Sequence, residues 1–102
     1  RHSPVEDGSG RLVGLLSTRD LLRMQDAVRT AGDRPLAVKK FMDDAPPTAP
    51  PDITIVEGMQ RLLAYETGCL LIVDHTRLLG IVTERDLVSA AADLLEQSSA
   101  EA

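Results

Sequence analysis

The sequence predicts a small α/β fold built from two related repeats. Residues 11–22 return 66 positions later as residues 77–88, and six of the twelve aligned positions are identical. Each copy consists of an apolar run of strand length, a hydroxyl residue, and an apolar helix-like segment with an aspartate in its first turn. Because an internal repeat determines the architecture of a chain, we interpret the other elements around these two copies.

The composition is that of one small domain with an aliphatic core. Hydrophobic residues make up 43% of the 102 residues, and Phe41 and Tyr65 are the only aromatic side chains. A net charge of -5 and the scarcity of aromatic residues argue against nucleic-acid binding. The lone Cys69 predicts a buried thiol in a reducing compartment. No apolar run approaches the roughly 18 residues of a membrane span, so we expect a cytoplasmic protein without direct membrane insertion.

The second repeat begins with an extended segment and a helix. Residues 45–52 are rich in proline and cannot form a helix, which predicts extended backbone around Thr48. Thr54 and Glu57 have the spacing of a capping box, in which two side chains close the start of a helix. Gly68 lies where the end of that helix needs a left-handed residue.

The remainder of the second repeat predicts a hairpin and a final helix. Residues 69–73 form a continuous apolar run that is typical of a buried strand. The short polar residues 74–77 lead into a second apolar run, residues 78–82, and so short a connection favours antiparallel pairing. Apolar residues then recur at helical spacing from Glu84, and residues 97–102 are expected to form a frayed polar tail.

The first repeat contains only the later part of this pattern. It predicts a strand stub over residues 1–6, a turn, a strand over residues 12–16 and a helix over residues 18–29. A short helical turn over residues 38–42, the lead-in segment, precedes the second repeat. We therefore divide the chain into the later part of a first repeat (residues 1–34), a second repeat with its lead-in segment (residues 35–97) and a tail (residues 98–102).

The repeated segments resemble the closing motif of the cystathionine-beta-synthase (CBS) domain family. That motif is a glycine, hydrophobic residues, a serine or threonine, two further residues and an aspartate, and residues 14–20 and 80–86 match it. The lead-in segment resembles the start of a family repeat, and residues 3–7 resemble its second strand. The resemblance covers essentially the whole chain, as a tandem pair with a truncated first repeat.

The resemblance implies both a fold and a role. Each family repeat has a small three-stranded sheet with two helices, and two repeats pair about a pseudo-twofold axis into a Bateman module. Such modules are regulatory, commonly bind adenosine nucleotides or related adenosyl ligands in clefts between the repeats, and often form dimers. The second repeat lacks an equivalent of Pro4 and Val5, so the two clefts are expected to be unequal.

The strand-to-helix junctions are the candidate ligand sites. A hydroxyl residue at each junction lies where free backbone N–H groups and the positive end of a helix dipole favour an anion. An arginine two positions later adds charge for a phosphate, and the following aspartate can accept hydrogen bonds from a ribose. By resemblance, Thr48 corresponds to a threonine that often lines the ligand cleft. The candidate residues are Ser17, Arg19 and Asp20 in the first repeat, and Thr48, Thr83, Arg85 and Asp86 in the second.

The same junctions have a purely structural explanation. Ser17 with Asp20, and Thr83 with Asp86, have the spacing of capping boxes. An aspartate in the first turn of a helix is favourable without any ligand. Spacing alone does not decide between a cap and a ribose site.

Two further expectations concern surfaces. Without the opening strand and helix of the first repeat, residues 12–16 are expected to expose apolar surface, which favours dimerisation or strand exchange. Gly14 and its counterpart Gly80 are expected to let a ligand or a facing strand approach closely.

The sequence therefore predicts a regulatory module that binds an adenosyl ligand between its repeats and passes a conformational change to an attached domain or partner. AMP, ADP, ATP and S-adenosylmethionine are the expected ligand class, and a homodimer is the expected assembly. We find no nucleophile–base constellation, zinc spacing or phosphate loop, and so expect no enzyme activity, cofactor or metal site. Two alternatives stay open: a structural dimerisation module without ligand, and an accessory piece of an enzyme or transporter.

Overall fold

The computed structural model describes the backbone of residues 2–101 and the side chains of residues 2–98. Its architecture is α/β, as the sequence predicts. The first repeat contributes β1 (His2–Glu6), β2 (Leu12–Ser17) and α1 (Thr18–Ala31). A 3-10 turn (Val38–Lys40) leads into the second repeat, which contributes β3 (Thr48–Ala49), α2 (Ile55–Ala64), β4 (Cys69–Asp74), β5 (Arg77–Thr83) and α3 (Glu84–Glu101).

The two repeats share one hairpin design. β1 pairs antiparallel with β2, and β4 pairs antiparallel with β5, as predicted for the second repeat. A shift in register interrupts both pairings at the same place, between Val5 and Glu6 in the first repeat and between Ile72 and Val73 in the second. β3 pairs parallel with β4, which gives a three-stranded sheet in the order β3-β4-β5. The second repeat thus has the three strands and two helices expected of a complete repeat.

The hairpin tips of the two repeats meet. Arg11 lies opposite Arg77 in an isolated antiparallel bridge, and the Leu12 amide donates a hydrogen bond of 2.8 Å to the Thr76 carbonyl oxygen. Arg11 and Arg77 occupy equivalent positions of the repeat. The contact therefore relates the two repeats symmetrically.

Two clusters of buried aliphatic side chains lie on opposite faces of β4. The cluster between the repeats consists of Leu15, Cys69 and Leu71. The cluster beneath α2 consists of Ala49, Leu62 and Leu70. Because β4 is covered on both faces, its sequence is a continuous apolar run and not an alternating one. The predicted burial of Cys69 is confirmed, and burial raises the pKa of its thiol.

Asp43, which directly follows the lead-in segment, covers one edge of β2. Leu15 and Asp43 exchange two backbone hydrogen bonds, each 2.9 Å long. Leu15 is 2% exposed and Leu16 is 8% exposed. The expected apolar exposure of residues 12–16 is therefore wrong for these two leucines. The backbone at Asp43 pairs with the edge of β2, and the neighbouring sheet packs against its face.

The start of α2 agrees with the prediction, whereas two other predicted boundaries differ from the structure. Thr54 accepts a hydrogen bond of 3.2 Å from the Glu57 amide, so α2 begins with the hydroxyl half of the predicted capping box. α2 ends at Ala64, and the left-handed Gly68, with a φ of 71°, belongs instead to the turn into β4. α3 continues to Glu101, so the tail expected to fray is helical as far as the structure describes it.

α3 is an 18-residue helix whose first turn joins the cluster beneath α2 through Leu87. Farther along, Val88 is 69% exposed, Leu94 64% and Leu95 69%. No helix within residues 2–101, α3 included, is both long enough and apolar enough to cross a membrane. The apolar side of α3 is thus a surface that the other described residues leave uncovered.

We predict that Gly14→Ala destabilises the protein by about 1–3 kcal/mol. A β-carbon at Gly14 would collide with the Met42 sulfur and lie 3.0 Å from the Asp43 carbonyl oxygen, so the lead-in segment would have to move. Gly80→Ala is the matched control, because a β-carbon there meets no atom within 4 Å. Urea denaturation followed by circular dichroism measures both variants. Equal losses of stability would contradict the close approach at Gly14.

Candidate functional site

Each repeat changes from strand to helix at a reciprocal capping box. The Asp20 amide donates to the Ser17 hydroxyl at 3.3 Å, and the Ser17 amide and hydroxyl donate to Asp20 Oδ2 at 2.8 and 3.0 Å. Thr83 and Asp86 form the same three hydrogen bonds at 3.4, 2.8 and 3.1 Å. Both predicted capping boxes are confirmed. The two helix starts are therefore stabilised without a ligand.

The first junction holds the Asp20 carboxylate in its ionised form. The hydrogen bond from the Ser17 amide is the largest cause that lowers the pKa of Asp20; burial opposes it. The Ser17 hydroxyl and the positive charges of Arg23 and Arg19 lower the pKa further. The Asp20 side chain is 15% exposed, so this charge lies close to the protein interior. An ionised carboxylate in this place acts only as a hydrogen-bond acceptor.

A cavity of about 580 Å³, here termed the junction cleft, opens beside the first junction. One wall comes from the end of β2 and the first turns of α1. The opposite wall comes from Asp43, just after the lead-in segment, and from Glu66 and Thr67 in the loop before β4. The polar residues that give the cleft its chemistry are Ser17, Arg19, Asp20, Arg23, Asp43 and Glu66. With Thr18, Thr67 and His2, which also line it, the cleft combines three hydroxyl groups, two guanidinium groups, three carboxylates and an imidazole.

Arg23 connects the junction cleft to the lead-in segment. Its guanidinium lies 3.4 Å from Asp20 Oδ1, and its central carbon lies 5.7 Å from the centre of the Phe41 ring. An arginine over an aromatic face at this distance is attracted to the ring. The sequence analysis did not identify Arg23, nor His2 and Asp43, which also line the cleft. The available sequence signal for Arg23 is its spacing of three residues from Asp20 on α1.

The other candidate residues lie outside the junction cleft. Thr83 is half-buried, whereas Arg85 and Asp86 are exposed, and none of the three lines the cleft. Thr48 is exposed as well, and its carbonyl oxygen accepts a hydrogen bond of 3.0 Å from the Arg61 guanidinium. Of the seven candidates, the structure brings together Ser17, Arg19 and Asp20.

The second junction is attached to the far wall of the cleft through its backbone. The Glu84 amide, at the start of α3, donates a hydrogen bond of 3.1 Å to the Gly68 carbonyl oxygen. Gly68 directly follows Glu66 and Thr67, which line the cleft. A β-carbon at Gly68 would lie 3.4 Å from the Glu84 carboxyl carbon, so this contact is close. The start of α3 is therefore hydrogen-bonded to the loop that lines the cleft.

A second cavity, of about 420 Å³, has a different character. It is an apolar groove between α2, β5 and the first turn of α3, and Met59, Ile72 and Leu87 are typical of its lining. None of its described lining residues is charged. The groove offers apolar area without an anchor for a charged ligand, so the junction cleft suits a charged ligand better than the groove does.

A model of the CBS domain matches residues 38–93, which is more than half of the 102-residue chain. The chain belongs to the CBS domain family. The family membership suggested by the two closing motifs is thus confirmed. The matched residues extend from the lead-in segment to the middle of α3 and contain the whole of the second sheet.

Solved structures of CBS proteins share the fold of the chain. A Vibrio cholerae protein described as an acetoin utilization protein (AcuB) is 31% identical, with a TM-score of 0.77 over 97% of this chain and 72% of that chain. CBSX2, solved in complex with AMP, is 26% identical, with a TM-score of 0.75 over 91% of this chain and 72% of that chain. CBSX2 is a CBS-pair protein from Arabidopsis thaliana.

Curated relatives are longer than the matched region. An uncharacterized protein of Methanocaldococcus jannaschii, MJ0450, is 27% identical over 84 residues, which cover 69% of this chain and 45% of that protein. An uncharacterized 17.7 kDa protein of Acidianus ambivalens is 39% identical over 44 residues, which cover 42% of this chain and 27% of that protein. The chain therefore spans less than half the length of the curated relatives it matches.

We predict that Asp20→Asn lowers the free energy of unfolding by about 1 kcal/mol at pH 7, because it weakens the cap of α1. The folded-state pKa of Asp20 is depressed, so its carboxylate stabilises the protein above the unfolded pKa of about 3.9. That contribution is lost as the pH falls through the folded pKa. Urea denaturation from pH 7 to acid is expected to bring the variant and the original protein together.

The control for this prediction is Asp26→Asn, which removes an exposed carboxylate from the middle of the same helix. It is expected to have little effect on stability at either pH. A difference between Asp20→Asn and the original protein that stays constant into acid would contradict the role of the ionised carboxylate.

Proposed function

We propose that the chain is a regulatory module that binds an adenosine nucleotide or a related adenosyl ligand in the junction cleft. The observation that carries the proposal is the convergence of Ser17, Arg19 and Asp20 on one cavity beside the start of α1. CBSX2, which is 26% identical to this chain and was solved in complex with AMP, supports the ligand class. AMP, ADP, ATP and S-adenosylmethionine are the ligands to be compared.

The ribose is proposed to bind Asp20. Oδ2 of this carboxylate holds the capping hydrogen bonds from Ser17, whereas Oδ1 makes one long contact of 3.4 Å with Arg23. Ribose hydroxyls can therefore take Oδ1 without breaking the cap. Oδ2 can therefore cap the helix while Oδ1 binds the ligand, so one aspartate has both roles.

The anionic part of a nucleotide is proposed to bind Arg19 and Arg23. Both guanidiniums line the cleft, and Arg23 becomes available when a ribose replaces it at Asp20. Guanidinium groups match phosphate oxygens in a bidentate geometry. Asp43 and Glu66 add negative charge to the same cleft, which disfavours highly charged ligands such as ATP relative to AMP or S-adenosylmethionine.

The second junction is proposed to act mainly as a helix cap. Thr83 and Asp86 have the same hydrogen-bond geometry as Ser17 and Asp20 but lie outside the cleft. Arg85 and Thr48 are likewise proposed to contact ligand at most weakly. If the second junction acts mainly as a helix cap, the two sites differ in ligand binding, in keeping with the predicted inequality of the two clefts.

Two contacts provide a route for a conformational change. Displacing Arg23 from Asp20 would also disturb its contact with Phe41, in the lead-in segment that joins the repeats. On the opposite wall, Glu66 and Gly68 carry any movement to Glu84 at the start of α3. We propose that an attached domain or partner senses this change in the relation of the two repeats.

We predict that Asp20→Ala weakens binding of the preferred adenosyl ligand by about tenfold or more, because a charge-assisted hydrogen-bond acceptor is lost. Asp86→Ala is the matched control, because it removes an equivalent capping carboxylate outside the cleft. Isothermal titration calorimetry with AMP, ADP, ATP and S-adenosylmethionine measures both. Equal losses in the two variants, or no heat with any of the four ligands, would overturn the proposed site.

A second candidate function is homodimerisation through α3. Val88, Leu94 and Leu95 are exposed on this helix, and a helix with an uncovered apolar side buries it against a partner in a stable assembly. A second copy of the chain offers the same apolar side, so the two helices can cover one another. Dimerisation and ligand binding use separate surfaces and are compatible.

We predict that Leu94→Asp raises the dimer dissociation constant by about tenfold or more, because it buries an unpaired carboxylate at the contact between helices. Ser89→Asp is the control, since it adds the same charge to an exposed polar position of α3. Sedimentation equilibrium measures both variants. A monomeric original protein would remove this candidate function and leave the ligand proposal standing.

A further inference from the structure

A separate polar cleft of about 590 Å³ lies where the tips of the two hairpins meet. It is lined by Glu6, Ser9, Arg11, Thr76 and Arg77, among others, and is here termed the hairpin-tip cleft. It shares no lining residue with the junction cleft. The features below are therefore independent of the proposed adenosyl site.

The backbone forces two arginines together in this cleft. Arg11 and Arg77 are opposite partners in an antiparallel bridge. The hydrogen bond beside them runs from the Leu12 amide to the Thr76 carbonyl oxygen, so the arginines occupy the non-hydrogen-bonded type of pair. In such a pair the Cα atoms are only about 4.5 Å apart and the side chains leave the ladder on the same face.

The carboxylates nearby offset the charge of this pair only in part. Hydrogen bonds from Ser9 and from the Arg11 amide lower the pKa of Asp7, and the positive charge of Arg11 lowers it further. Among the described residues, no ion pair joins Arg11 or Arg77 to an acid. Glu6 lines the cleft, but Asp7 uses its Oδ1 to accept hydrogen bonds from Ser9 and from the Arg11 amide. Like charges directly opposite one another destabilise a sheet. A bound anion would convert this repulsion into attraction.

The two arginines are also related by the internal repeat. They occupy the same position in the two copies, 66 residues apart. Because the two arginines meet at the contact between the repeats, both guanidinium groups lie beside the same space. A guanidinium fork matches carboxylate and phosphate oxygens, and an anion with two charges and several oxygens can engage both forks at once.

We propose that the hairpin-tip cleft binds a doubly charged oxyanion, of the phosphate or dicarboxylate class, between the Arg11 and Arg77 guanidiniums. The Thr76 hydroxyl is the further donor that lines the cleft. An anion here joins the hairpin tips of both repeats and so stabilises the contact between them. Its effect on stability adds to that of a ligand in the junction cleft.

The test is a titration of the nitrogen-15-labelled protein with sodium phosphate, and separately with sodium succinate, at constant ionic strength maintained with sodium chloride. The Gly10 and Thr76 backbone amides are expected to shift and to saturate, with a dissociation constant separate from that of any shift around Ser17. Phosphate binding more tightly than succinate identifies the phosphate class, and the reverse order identifies the dicarboxylate class. Chloride alone is expected to produce no saturable shift.

Arg77→Gln and Arg11→Gln are each expected to weaken the anion by about 10- to 100-fold, because each removes a charged hydrogen-bond donor. Arg29→Gln is the matched control, since it removes an exposed arginine of α1 from outside this cleft. Arg77→Lys keeps the positive charge without the guanidinium fork. The amide spectrum of each variant reports whether that variant is folded. Affinity that is unchanged in both glutamine variants, or no saturable shift with either anion in the original protein, would overturn the site.

Discussion

Two backbone hydrogen bonds between Leu15 and Asp43 connect the repeats, and the rest of the structure depends on them. They place the lead-in segment along β2, which buries Leu15 and Leu16 even though the first repeat contributes only two strands. A glycine is needed at position 14 because Met42 and Asp43 cross it closely. The same pairing brings Phe41 and Asp43 to α1, and thereby builds one wall of the junction cleft.

Duplication in this chain produced two equal caps but unequal sites. The hydrogen bonds that start α1 and α3 are nearly equal in length, so the local chemistry of the two junctions is the same. What differs is the environment. The first junction faces the lead-in segment and the loop before β4, whereas the second is exposed. The closing motif alone caps a helix. A cleft forms only where other residues, here Asp43 and Glu66, lie opposite the motif.

The proposed regulation uses the weakest contact of the site. The capping hydrogen bonds that Asp20 Oδ2 accepts are 2.8 and 3.0 Å long, whereas Arg23 lies 3.4 Å from Oδ1 and its side chain is 58% exposed. A ligand can therefore exchange with Arg23 while α1 keeps its start. Because Arg23 also lies over Phe41, the exchange reaches the segment that joins the repeats without unfolding any element.

Much of the fold follows from short-range patterns in the sequence. The duplicated strand and helix, the β4–β5 hairpin, both junction caps and the burial of Cys69 were predictable because each depends on neighbouring residues or on a continuous apolar run. The end of α2 and the extent of α3 were not, since Gly68 is used by a turn and the polar residues after Leu95 tolerate helix without demanding it.

The sequence by itself determined the repeat, its strands and helices, and the hydroxyl and carboxylate at each junction, because these arise from periodicity and capping over a few residues. Tertiary structure alone decided which junction has a cleft. That choice depends on two acids distant from Ser17 in the chain. Asp43 reaches it through the pairing with Leu15, and Glu66 precedes β4, which packs against Leu15. Contacts of this range leave no spacing that a single sequence can reveal.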